Sequence, residues 1–117
     1  MASNLKINYI EFPAKDLDAV KKFYADTFGW TFQDYGPEYC AFNDGQFDGG
    51  FFKADARSSQ AEGATLVVLF ADDLEAALEK VTANNGTIIR EIFTFPGGRR
   101  FHFTDPNGNE LAIWSDK

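Results

Sequence analysis

Hydrophobic and polar positions follow two rhythms along this chain, and the order of the rhythms repeats. Apolar, β-prone runs at residues 7–12 and 65–70 predict strands. After the first run, Leu17, Val20, Phe23, Tyr24 and Phe28 fall at helical spacing; after the second, Leu74, Ala77, Leu78 and Val81 do the same. Each set places one apolar stripe on a helix. Asp16 and Asp73 precede the stripes, where a carboxylate meets free backbone N–H groups and the positive end of the helix dipole. Gly29 and Gly86 follow the stripes as expected left-handed helix stops. The segments Ala14-Lys15-Asp16-Leu17-Asp18-Ala19 and Ala71-Asp72-Asp73-Leu74-Glu75-Ala76 stand at a constant offset of 57 residues, which also relates the glycines (71 − 14, 73 − 16 and 86 − 29).

Three further strands are expected after each helix: residues 31–34, 38–42 and 50–53, then 87–94, 100–104 and 110–114. Gly36-Pro37, Asn43-Asp44-Gly45, Pro96-Gly97-Gly98 and Asp105-Pro106-Asn107-Gly108 mark the turns. The reading is an α+β fold of two tandem βαβββ units, residues 5–54 and 64–115, within a single domain, 1–117. Residues 55–63, small and polar, form the expected flexible linker.

Composition narrows the functional classes. The 117 residues suit one domain. The 13 Phe, 4 Tyr and 2 Trp supply either a core or the walls of an apolar pocket. A formal charge of −7 repels phosphate backbones, so no nucleic-acid partner is expected. No apolar run has the length of a membrane span, and residues 1–6 carry no signal-peptide stretch. The lone cysteine, Cys40, makes no internal disulfide and has no activating neighbour, so a buried, inert thiol and a cytoplasmic location are the expectations.

Ile10-Glu11-Phe12-Pro13-Ala14-Lys15-Asp16-Leu17, Phe23-Tyr24, Phe28-Gly29-Trp30 and the ending Asp105-Pro106-Asn107-Gly108-Asn109-Glu110-Leu111 resemble the glyoxalase/bleomycin-resistance (vicinal oxygen chelate) superfamily over residues 5–115. The resemblance implies that the two units form a curled, eight-stranded mixed sheet, a cup with helices outside, and that the protein is a homodimer. It also implies activities from lactoylglutathione lyase and extradiol dioxygenase to antibiotic sequestration, so fold leaves function open. Enzymes of the family hold a divalent metal with four side chains on the first and last strands of the units. The matching positions here are Tyr9, Leu66, Ala112 and one within residues 50–53. Leucine and alanine have no donor atom, and residues 50–53 offer no carboxylate, amide or imidazole. No metal and no other cofactor is expected.

Period-two alternation puts Ile7, Tyr9 and Glu11 on the cup face, with Leu66, Val68, Phe70, Phe51, Glu110, Ala112 and Trp114. Glu11 is a candidate acid/base or ligand partner, or else pairs with Arg100 or a lysine. Arg100, His102 and Thr104 share one face of their strand. If that face lines the cup, Arg100 binds an anion and His102 moves protons; if it meets solvent or a partner, neither does. Pro96–Arg100 reads as a lid or as an ordinary turn. Three functions remain open: a metal-free protein that binds and sequesters a cationic or aromatic small molecule, a metal-independent lyase or isomerase using Glu11 and His102 with Tyr9, and an interaction module with a vestigial cup.

Overall fold

Capped helices organise both units of the computed structural model, which describes residues 2–117. The first unit runs β1 (Tyr9–Ala14), α1 (Leu17–Phe28), β2 (Thr31–Asp34), β3 (Tyr39–Asn43) and β4 (Asp48–Lys53). The second runs β5 (Val67–Phe70), α2 (Leu74–Ala83), β6 (Thr87–Phe95), β7 (Gly98–Thr104) and β8 (Glu110–Ser115). Asp16 accepts from the Ala19 amide at 3.2 Å and Asp73 from the Ala76 amide at 3.0 Å, so the repeat extends to the N-cap hydrogen bonds. The helix stops differ. Gly29 ends α1 at φ 76, as expected. At the end of α2 it is Asn85, at φ 73, that takes the left-handed conformation, and not Gly86. Gly86 matters for close approach, because a Cβ there would crowd Val81 and Phe23.

The eight strands form two mixed four-stranded sheets, β1-β4-β3-β2 and β5-β8-β7-β6. In each, the strand before the helix pairs in parallel with the last strand of its unit. Glu11 opposes Gly50 in the first sheet, and Val68 opposes Ala112 in the second. Pairing corrects the first strand boundary: the ladder begins at Tyr9 opposite Asp48, and Ile7, outside it, is 82% exposed.

One core serves both units. Phe12, Ala14 and Phe51 from the first sheet and Phe101, Phe103, Leu111 and Ile113 from the second are all buried in it. Helix α1 joins them, its Phe23 and Phe28 rings lying 6.1 and 6.0 Å from Phe103. The Asp105–Asn109 turn adds a polar clasp. The Tyr24 hydroxyl donates to Asp105 at 2.8 Å, and the Asn107 and Asn109 side-chain amides both donate to the Pro13 carbonyl. Residues 55–63 are tied down rather than free. Ser58 N–H donates to Asn109 Oδ1 at 2.8 Å, the Ser58 carbonyl accepts from Glu110 N–H at 2.7 Å, and Gln60–Glu62 forms a short 3-10 turn.

Candidate functional site: two cup faces

Strand alternation turns half of each sheet away from the core. On the first sheet, Tyr9, Glu11, Tyr39 and Phe52 occupy the outer face, with Tyr9 42% exposed. Here the side chains form a chain of hydrogen bonds. Tyr39 Oη donates to Glu11 Oε2 at 2.8 Å. Its only proton being used, Tyr39 accepts from Tyr9 Oη at 2.6 Å. Glycine at position 50 makes the arrangement possible, since a Cβ there would collide with the Tyr39 phenol. Partial burial, then the hydrogen bonds to Tyr9 and Glu11, push the Tyr39 hydroxyl far above the ordinary tyrosine value, so it stays a protonated donor.

On the second sheet the corresponding face is basic and aromatic. Arg90 and Phe93 of β6 lie opposite His102 and Arg100 of β7, and those two lie opposite Ala112 and Trp114 of β8. His102 and Glu110 are buried, and His102 Nδ1 meets Glu110 Oε2 at 2.8 Å. Glu110 Oε1 accepts from Gln60 N–H at 3.0 Å. Burial by itself raises the Glu110 carboxyl, but the His102 and Gln60 hydrogen bonds outweigh it and hold the group below the ordinary glutamate value. An ionised Glu110 fixes the proton on His102 Nδ1, and His102 Nε2 is left buried without a partner.

These observations place each residue singled out from sequence. Tyr9 and Glu11 converge through Tyr39. His102, Glu110, Arg100, Trp114, Val68 and Phe70 share the second face, and Leu66 lies half-buried just before β5. Glu11 is bonded to Tyr39 on the first sheet and His102 to Glu110 on the second, and no hydrogen bond or aromatic contact joins the two groups among the described residues. Phe51 is corrected. It is fully buried and stacks on Phe12 at 5.5 Å, while Phe52 takes the outer face. The β1–β4 register sets Phe51 opposite Phe12, and the Phe51 ring lies 5.3 Å from Tyr24 of α1. Pro96-Gly97 is a two-residue turn between β6 and β7, and Arg99 beyond it is anchored to Glu75 of α2 by bonds of 2.6 and 3.1 Å. That is the ordinary-turn reading of the segment, not the lid. Cys40 is buried, and burial raises its thiol above the usual value.

Gly50 opposes Glu11 in the first sheet as Ala112 opposes Val68 in the second, so the four positions matched to metal ligands are Tyr9, Gly50, Leu66 and Ala112. This set does not fit a divalent ion. Three of its side chains have no donor atom, the Tyr39 phenol fills the space at Gly50, and Tyr9 donates its proton to Tyr39.

Sequence reasoning missed Tyr39, Arg90 and Phe93. Tyr39 was legible as the outward neighbour of a glycine on the adjoining strand. Arg90 and Phe93 were not, because register shifts between Ile88, Arg90 and Phe93 break the alternation of β6.

Comparison with known proteins agrees with this architecture. The family model described as Glyoxalase/Bleomycin resistance protein/Dioxygenase superfamily matches residues 6–113. A glyoxylase-like domain-containing protein from Didymella fabae is 33% identical over 120 residues, covering 92% of this chain and 91% of that protein. Among solved structures, a lactoylglutathione lyase from Agrobacterium tumefaciens superposes with a TM-score of 0.74 at 22% identity, covering 97% of this chain and 95% of the other. The fosfomycin resistance protein FosX from Mesorhizobium loti gives 0.77 at 14% identity, with 97% and 93% covered. At those identities the structural likeness is one of fold. The match over residues 6–113, with the tandem units and the clasp at Asp105–Asn109, shows that the chain belongs to the glyoxalase/bleomycin-resistance/dioxygenase superfamily.

Proposed function

We propose that this chain is a metal-free small-molecule-binding protein that sequesters an aromatic or cationic compound in cups closed by a second copy of the chain. The observation that carries this reading is the replacement of the donor set by Tyr9, Gly50, Leu66 and Ala112, with the Tyr39 phenol in the vacated space. Aromatic surface supports the ligand class: Phe70 is 51% exposed and lies edge-on to Trp114 at 5.2 Å. Glu11 has no cationic partner among the described residues and is the group to meet a ligand ammonium. Tyr9 and Phe52 on the first face and Val68 and Phe70 on the second are exposed in one chain, which supports a homodimer that covers them.

The test is melting of chelator-treated protein with a panel of aromatic and cationic compounds, alongside divalent zinc, manganese and nickel, with the mass in solution measured in parallel. A compound at about a hundred times its Kd adds about 2.7 kcal/mol, or roughly 10 °C in Tm. The metals are expected to leave Tm unchanged, and the mass to be twice 13.1 kDa. A large stabilisation by one metal, with no response to any compound, would overturn the reading.

The Tyr9–Tyr39–Glu11 chain favours a second reading, a metal-independent lyase or isomerase with Glu11 as base through the oxygen that Tyr39 does not hold. Incubation with small carbonyl compounds in deuterated water is then expected to give deuterium uptake beside the carbonyl, lost in Glu11→Gln. Uptake no faster than in buffer excludes it.

A further inference from the structure

We propose that the outer face of the second sheet is a site for an aromatic carboxylate, with Arg90 and Arg100 taking the carboxylate and Phe93, Phe95 and Trp114 taking the ring. The proposal deepens the binding reading above and rests on it.

Charge pairing is the first observation. In a chain of formal charge −7, an arginine has many carboxylates to choose from. Arg57 and Arg99 are paired, with Glu62 at 2.9 Å and Glu75 at 2.6 Å. Arg90 and Arg100 meet no carboxylate among the described residues, and Arg100 Nε is buried without a partner. A buried guanidinium N–H left unpaired is costly, and an acceptor at that position would relieve it. Glu110, the carboxylate on this face, does not serve them: one oxygen is taken by His102 and the other by the Gln60 amide.

The second observation is how the arginines are held. The Arg90 guanidinium carbon lies 3.7 Å from the centre of the Phe93 ring, and that of Arg100 lies 5.3 Å from it and 5.8 Å from Phe95. Cation–π contact with shared rings brings two like charges together and orders them before any ligand arrives. Guanidinium edges keep their forked N–H donors, the geometry that matches a planar carboxylate.

The third observation is the adjoining apolar wall. Trp114 lies opposite Arg100 across the β7–β8 ladder, with Phe95 at 6.3 Å and Phe70 at 5.2 Å. A flat ring can lie against these side chains while its carboxylate reaches Arg100. Inorganic phosphate would gain the charge but not the wall, and a neutral arene the wall but not the charge.

The experiment is a titration of chelator-treated protein, followed by tryptophan fluorescence and calorimetry, with 2-naphthoate, 2-naphthylmethanol, 2-naphthylmethylammonium and inorganic phosphate. Naphthoate is expected to bind at least about tenfold more tightly than the alcohol or phosphate, while any binding of the ammonium compound, which would meet Glu11 on the first face, is expected to be the same in both arginine variants below. Arg90→Gln and Arg100→Gln are each expected to erase that preference while leaving the alcohol's affinity unchanged. Should Arg100→Gln fail to fold, Arg90→Gln, at an exposed position, decides the matter alone. Equal affinity for the alcohol or phosphate, no binding of naphthoate, or a preference kept by both variants would overturn the assignment while leaving metal-free binding intact. A preference that appears only with added zinc and vanishes with chelator would instead overturn the metal-free reading.

Discussion

Replacing Asp105 with alanine is expected to destabilise the protein by about 3 kcal/mol, lowering Tm by roughly 10 °C. The carboxylate lies at the centre of the clasp between the two units. Oδ1 accepts from the backbone amides of Asn107 and Asn109 at 2.8 and 3.0 Å, and Oδ2 from the Tyr24 hydroxyl at 2.8 Å and the Asn109 side chain at 3.1 Å. Asp105, Tyr24 and Asn109 are all buried, so water does not readily replace the missing acceptor. Burial holds the Asp105 carboxyl above its ordinary value, against the pull of these four donors. A raised folded value means that the native state takes up the proton more readily than the unfolded chain. The resulting contribution to stability is complete below the ordinary aspartate range and is lost as pH rises through the folded value. The deficit of Asp105→Ala is therefore expected to be larger in acid than at neutral pH. Chemical denaturation of both proteins across that range checks it; a neutral-pH loss under about 1 kcal/mol would show that the clasp contributes little.

Phe103→Ala is expected to cost about 3–5 kcal/mol, enough to leave a small domain close to unfolding. The ring is fully buried and stands 6.1 Å from Phe23, 6.0 Å from Phe28 and 6.3 Å from Phe101. It is the second sheet's contribution to the aromatic contact with α1, so its removal leaves a cavity between the units and not at their edge. Phe52→Ala deletes the same side chain where it is 39% exposed, and the expected loss there is below about 1 kcal/mol. Denaturant midpoints of the two variants make the comparison. Similar losses would mean that α1 does not couple the sheets.

Much of the fold was legible because the code for it is local. Asp16 and Asp73 cap helices through bonds three residues long, and Gly29 ends its helix by its own φ. Phe101 and Phe103 against Arg100 and His102 follow from the alternation of an extended chain. Where the reading failed, a distant partner decided. Phe51 went to the core because the β1–β4 register sets it beside Phe12. Asn85 displaced Gly86 because Gly86 is needed flat against Val81 and Phe23. The linker was read as flexible from its composition, yet Asn109 and Glu110, some 50 positions away, hold its backbone amides.

By itself, the sequence determined the repeat, the two helices and their N-caps, the order of the elements along the chain, and the side chains without donor atoms at Leu66 and Ala112. Each depends on residue identity or on neighbours a few positions apart. Only the tertiary structure decided that Tyr9, Tyr39 and Glu11 form one hydrogen-bonded chain, that His102 is held by Glu110, and that Arg90 and Arg100 are left unpaired over Phe93. Those arrangements depend on sheet register and on the bulges of β6, where a shift of one residue moves a side chain to the opposite face.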